Sequence, residues 1–452
     1  MRQRDRRAGG RTASVALVWS IILALICATS AAEAPPVAAV RPSYHPSVPL
    51  SVDPSVGLPD TLTVYIMTMG PGRQVWERFG HNAIWIHDPA SGTDRAYNYG
   101  LFDFHQENFL LRFARGQMWY WMEGFPAESY AQVYVRDNRS VWIQELALPL
   151  EARRELKRFL EWNERPENRF YHYDYYRDNC STRVRDAIDR VIGGRLKAQT
   201  EHVSTGTTYR FHTQRLTAND PVIFTALLVA LGRPVDRPIS AWEEMFLPLQ
   251  LREHLRRVTI PGPSGTPIPL VRSERTIFLS TAPDPPAAPP SWTSAYLVLG
   301  LAIGGGALGL AALSRRSGLA RWLLAVLLGG WTLLTGLAGV VLVGLWGLTD
   351  HVMTAHNENL LQASPLALLL ALLLPGVFRH HAGAARAARL IALAILLLSI
   401  AGALAKLLPG FHQVNGPVVA LALPAHAGMA AVLWSRLGYD PLTRRSPSRA
   451  SS

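Results

Sequence analysis

RDNCSTRVRDAID, residues 177–189, decides how the first half of this 452-residue chain folds. Val184, Ala187, Ile188, Val191 and Ile192 recur at i, i+3, i+4, i+7 and i+8, which is one face of a helix. Gly193-Gly194 ends that helix. Asp178 or Asn179 is its N-cap, so Cys180 falls in the first turn. There the free N–H groups and the helix dipole favour a thiolate. The same N–H groups suit the oxyanion of a tetrahedral intermediate. The other cysteine, Cys27, sits in an apolar N-terminal run. An exported Cys180 therefore has no disulfide partner in its own domain. A zinc site needs more thiols or a compact histidine set, so no metal is expected.

Strands surround this helix. TLTVYIMTM (61–69), HNAIWIHDP (81–89), DRAYNYGLFDF (94–104) and SVWIQELAL (140–148) are rich in β-branched and aromatic residues. PLEARRELKRFLEWNERPE (149–167) carries Leu156, Phe159 and Leu160 at helical spacing. The domain is expected to be α+β. A reactive thiol needs a base, and His81 stands where a Gly turn enters a strand, in RFGHNAIWI. His87, His105, His172, His202, His212 and His254 are alternatives, and spacing alone leaves the choice open.

The ends of the chain set its location. A basic head, a short apolar core and Ala32-Glu33-Ala34 make residues 1–34 a secretory signal or a retained anchor. The exported domain runs over 35–260 and a Pro/Ser-rich linker over 261–292. Residues 293–436 carry the apolar runs Thr293–Leu313, Trp322–Leu348, Leu390–Leu408 and Gly416–Trp434. Leu360–Phe378 is a shorter run interrupted by Pro365 and Pro375. Together they predict an all-α bundle of five transmembrane helices. SRRSGLAR, RHHAGAARAAR and the tail over 437–452 are Arg-rich and belong inside. TDHVMTAHNENLLQASP and PGFHQVNG lack Arg and Lys and face outside with the exported domain. The net charge of +12 draws on those arginines and suits anionic lipid, not nucleic acid.

The outward loops are densely polar for their position at the bilayer. His351, His356, Asn357, Asn359, Gln413 and Asn415 are candidates for gripping a lipid headgroup or shaping a substrate entrance. GLAIGGGALGLA (300–311) suits close helix packing.

MTMGPGRQVWERFGHNAIWI (67–86), YNYGLFDF (97–104) and YDYYRDNCSTRVRDAID (173–189) together resemble the exported domain of the Lnb family. HVMTAHNENLLQASPLALLL (351–370) and FHQVNGPVVALALP (411–424) resemble its transmembrane part, so the resemblance runs from about 60 to 435. It implies a permuted papain-like thiol fold, with the histidine before the cysteine. By that pattern Cys180 is the nucleophile and His81 its base. It also implies a multi-pass protein of the inner membrane with its catalytic domain on the periplasmic side. The implied activity is N-acylation of lipoproteins. A phospholipid gives an acyl chain to Cys180, and the lipoprotein's N-terminal amine takes it, with no cofactor.

Asn98 and Asp103, on the neighbouring strand, are candidates to orient His81. Asn179 and Asp178 are helix-cap or oxyanion candidates. Arg183, one turn into the helix, is placed to hold a phosphate or Asp186. An exported thiol hydrolase, either a peptidase or amidase or a lipase, is the alternative. A non-enzymatic membrane sensor is the third reading. The membrane bundle favours lipid, since a cell-wall hydrolase needs only one anchor.

Overall fold

Both faces of TVYIMTM are apolar, and this makes strand β1 (Thr63–Met69) the centre of a sheet. Val64 and Ile66 point to one face, and Tyr65, Met67 and Met69 to the other; all are buried. In this computed structural model, which describes residues 62–103 and 108–436, β1 pairs antiparallel with β2 (His81–Asp88) and β5 (Val141–Leu146). Strands β3 (Thr93–Leu101), β4 (Trp119–Pro126) and β6 (Phe170–His172) extend the sheet on one side, and β7 (Val271–Phe278) on the other. The order across the seven strands is β7-β5-β1-β2-β3-β4-β6. The expected signal or anchor with Cys27, His105 and the tail over 437–452 lie outside the described residues.

Helices cover both faces. Helix α1 (Ala127–Arg136) packs Ala127, Tyr130 and Ala131 on Met67, Ala83, Trp85 and Ala96. Helices α2 (Leu150–Asn163) and α3 (Cys180–Val191) lie against Val64, Ile66, Ile84, Ile86, Tyr97 and Tyr99. Leu156, Leu160, Val184 and Ile188 are fully buried there, each worth roughly 1.5–3 kcal/mol of burial. The expected strands and both expected helices are present. The linker expected over 261–292 is not wholly a linker, because Val271–Phe278 is the edge strand β7. Its Glu274 is hydrogen-bonded by Arg252, Arg256 and Gln144, and this pairing holds a polar segment at a sheet edge.

A second compact unit comprises Thr225–Arg237 and the chain from Pro290 onward. Helices α4 (Thr293–Leu313), α5 (Gly318–Gly347), α7 (Ala382–Leu404) and α8 (Gly416–Arg436) form its long apolar elements. The fifth span expected over the proline-interrupted run Leu360–Phe378 is a bent pair. Helix α6 (Leu366–Phe378) has 13 residues, about 20 Å, and follows Val352–Leu361 at a 42° bend. Pro365 caps α6 and stops it from continuing backward. Among the described residues four helices, or five spans if the bent pair is one, are long and apolar enough to cross a bilayer. The glycines of α4 do permit close packing: a Cβ on Gly304 would sit 2.3 Å from the Pro424 carbonyl oxygen of α8.

Candidate active site

Asn179 settles where α3 begins. Its Oδ1 accepts from the N–H groups of Ser181 and Thr182, each at 2.9 Å, and Thr182 Oγ1 accepts the Asn179 N–H at 2.8 Å. Its Nδ2 donates to the carbonyls of Tyr175 and Phe246, both at 2.9 Å. The side-chain amide is thus fully engaged as a cap, with no donor left for an oxyanion. Asp178 is not the cap; it pairs with Arg183 at 2.5 and 2.7 Å. Arg183 also lies 3.9 Å over the Tyr171 ring. The Asp186 pairing expected of Arg183 is made by Arg185 instead.

Cys180, the first residue of α3, and His81, the first residue of β2, both approach Gly100. Strand β3 bulges between Tyr99 and Leu101, and Gly100 takes φ +100°. A Cβ placed there would lie 3.4 Å from Cys180 Cβ and 3.9 Å from His81 Cε1. Both side chains are therefore within 4 Å of one point that only a missing side chain keeps open. Asn98, two residues earlier in β3, is buried, and its Oδ1 lies 2.5 Å from His81 Nε2. With Oδ1 accepting, Nε2 carries the ring proton and Nδ1 is left to take one. Asp103, the other orienting candidate, is exposed. The histidine alternatives are engaged elsewhere: His87 with Asp94, His172 on Trp119, His202 with Glu201, and His212 and His254 with Glu244.

Burial decides the resting protonation. It pushes the Cys180 thiol up to about 11, although the N–H groups of Asn82, Ser181 and Cys180 itself pull the other way. The thiolate expected from the helix start is thus outweighed by desolvation. Burial also lowers His81 to about 4; the Asn98 bond opposes this, and the Arg139 charge adds to it. The resting pair is neutral thiol and neutral imidazole. Since the thiolate is the form that alkylates, Cys180 should react with iodoacetamide roughly a hundredfold more slowly at pH 7 than a free cysteine. The rate should climb about tenfold per pH unit towards pH 11. A plateau near pH 8 would contradict this reading of the site.

Several site residues do not stand out in the sequence. Asn82 is fully buried; its Nδ2 donates to Ser181 Oγ at 3.0 Å, and Ser181 Oγ donates to the Met245 carbonyl at 2.7 Å. The residue after the histidine is thereby tied to the residue after the cysteine. A polar residue inside HNAIWI, where a central strand wants apolar ones, is the available signal. Tyr134 stacks on His81 at 6.1 Å, and Arg139 lies 4.7 Å over Tyr134 and donates to the Gly70 carbonyl at 2.9 Å. Neither carries any pattern readable before the strands are assembled.

Within the second unit the two outward loops do meet. Gln413 Nε2 donates to Asn357 Oδ1 at 3.2 Å, and Asn415 Nδ2 to Asn359 Oδ1 at 2.8 Å. Their amides also cap the carbonyls that end the apolar helix Pro221–Ala230. Asn357 reaches Val229 and Ala230, Asn359 reaches Leu228 and Val229, and Gln413 reaches Leu231. Asn357, Asn359, Gln413 and Asn415 are at most 2% exposed, so these side chains bind protein instead of facing a headgroup. His356 is exposed beside Trp346, and His351 is half-buried. The uncharged run Val222–Leu231 is the sequence signal that this segment belongs with the apolar helices.

The chain thus joins an α+β domain, in which a cysteine, a histidine and an asparagine converge, to a bundle of membrane-length helices. Residues 58–217 match the Lnb N-terminal periplasmic domain, and residues 297–424 match the Lnb transmembrane domain. The chain belongs to the Lnb family: it is a membrane protein with a periplasmic domain. Neither a curated protein nor a solved structure matches it.

Proposed function

We propose that the protein is a thiol acyltransferase of the inner membrane, moving an acyl chain from phospholipid to the N-terminal amine of lipoproteins. The convergence of Cys180 and His81 at Gly100, with Asn98 bonded to His81, carries this reading. A strand histidine placed before a helix-start cysteine, with an asparagine behind it, fits a permuted papain-like thiol fold. As the Cys180 sulfur attacks the ester carbonyl, His81 Nδ1 takes the thiol proton. The N–H groups around the sulfur, from Asn82, Cys180 and Ser181, are suited to the oxyanion. The ester C–O bond breaks, His81 returns the proton to the leaving alkoxide, and a thioester and a lysophospholipid result. The lipoprotein amine then attacks the thioester and gives its proton to His81. The C–S bond breaks, and the proton goes back to the thiol.

The same groups would serve a hydrolase, with water in place of the amine. The long apolar helices favour a lipid donor, and an amine acceptor exploits the reactivity of a thioester. The test is to incubate the protein with phospholipid carrying a labelled acyl chain. Hydroxylamine-sensitive label should appear on Cys180 and be absent in Cys180→Ala. Label that survives Cys180→Ala, or none on the native chain, would overturn the proposal. Mass spectrometry of lipoprotein N-termini from cells lacking the protein should show the loss of an amide-linked chain, which hydrolysis alone does not produce.

A further inference from the structure

A chain held as a thioester on Cys180 needs apolar surface within reach of the sulfur. The α3 side of the sheet offers none, because Val184, Ile188, Tyr97 and Tyr99 are packed to 1% exposure or less. The His81 side is different. Helix α1 covers Ala83 and Ala96, and beyond Asn98 the register leads outward across β4 to β6. Asn98 stands opposite Glu123, Leu101 opposite Trp121, Trp121 opposite Phe170, and Trp119 opposite His172. Alternation puts Trp119, Trp121, Phe170 and His172 on the face that carries His81 and Asn98. Tyr120, Met122 and Tyr171, which point the other way, are buried.

Among the described residues this strip is only partly covered, with the Arg169 guanidinium 5.0 Å over the Phe170 ring. Phe170 is 47% and Trp119 37% exposed, and Gly100, Leu101 and Trp121 are half-buried. Trp119 stacks on His172 at 4.0 Å, and Trp121 lies 6.1 Å from Phe170. The Trp121 Nε1 already donates to Glu123 at 3.1 Å, so its ring is left with only apolar surface to offer. From β3 to β6 the strip crosses two strand spacings, roughly 10 Å.

We propose that this strip seats the acyl chain carried by Cys180, which leaves the sulfur at Gly100 and lies over Leu101, Trp121 and Phe170. The proposal rests on the acyl-transfer reading and names its substrate surface. Continuity with the reacting groups selects the occupant, since the strip begins at the residue that Cys180 and His81 both approach. Aromatic surface suits it too: the rings of Trp121 and Phe170 offer a methylene chain the apolar contact it requires.

The full-length protein in detergent micelles is given dihexanoyl- or dipalmitoylphosphatidylethanolamine, and the rate of hydroxylamine-sensitive acylation of Cys180 is measured. The long-to-short ratio of rates should fall about tenfold in Trp121→Ala and in Phe170→Ala. Trp162→Ala, an exposed aromatic of α2, should keep the native ratio. An unchanged ratio in both strip variants, including one in which both rates fall together, overturns the strip alone. An equal fall in Trp162→Ala does the same. No label on the native protein from either donor overturns the acyl-transfer reading and the strip with it.

Discussion

Replacing His81 with alanine should slow acylation of Cys180 by about a thousandfold to ten-thousandfold, the range that loss of a positioned general base produces. The size follows from the resting state. A thiol held up at about 11 supplies almost no thiolate at neutral pH, so attack depends on removing its proton during the step. An enzyme with a preformed thiolate would lose less. The acid limb of the native rate reports the same group. His81 is lowered to about 4, so its neutral, proton-accepting form persists as pH falls through the ordinary histidine range. The rate should stay level to about pH 5 and fall near pH 4, where the imidazole gains a proton. An acid limb centred near the ordinary histidine value of about 6.5, or a His81→Ala variant within about tenfold of the native rate, would contradict this assignment. Asn98→Ala should fall between the two, because it holds the ring without taking the proton.

Gly100→Val should reduce acylation by about a hundredfold, the cost of misplacing reacting groups by an ångström or so. Two effects combine. A φ of +100° is poorly tolerated by any side chain and worst by a β-branched one. The new Cβ would also lie 3.4 Å from Cys180 Cβ and 3.9 Å from His81 Cε1, and the two further methyl groups of valine must fit beside them. Gly92→Ala separates them: Gly92 has φ +64°, and a methyl group there would meet nothing within 4 Å, so it carries backbone strain without added bulk beside a neighbour. That variant should lose some thermal stability and keep its acylation rate. Equal loss of acylation in both would mean that Gly100 matters for the backbone alone. The readouts are acylation rate and unfolding midpoint on the same preparations.

Much of the first domain is legible in the sequence because its signals are local. The spacing of Val184, Ala187 and Ile188 gives a helix whatever surrounds it, and HNAIWI is apolar enough to be a buried strand. Strand β6 is three residues long, and β7 is a charged segment, so neither has a pattern that outweighs its polarity. In the second unit, apolar length identifies α4, α5, α7 and α8, while Pro365 breaks the run between them into a bent pair. Composition marks the polar loops as surface. It does not reveal that Asn357, Asn359 and Gln413 have carbonyls to cap.

The sequence by itself determined the helix start at Cys180, the strand at His81, the apolar spans and the family. Each depends on residues close together in the chain. Only the tertiary structure decided that Asn98 and not Asp103 backs His81, that histidine and cysteine both approach Gly100, and that burial holds the thiol neutral. Those outcomes depend on strand register, on a bulge and on how much water the packed residues exclude. None of these is a property of any short stretch of sequence.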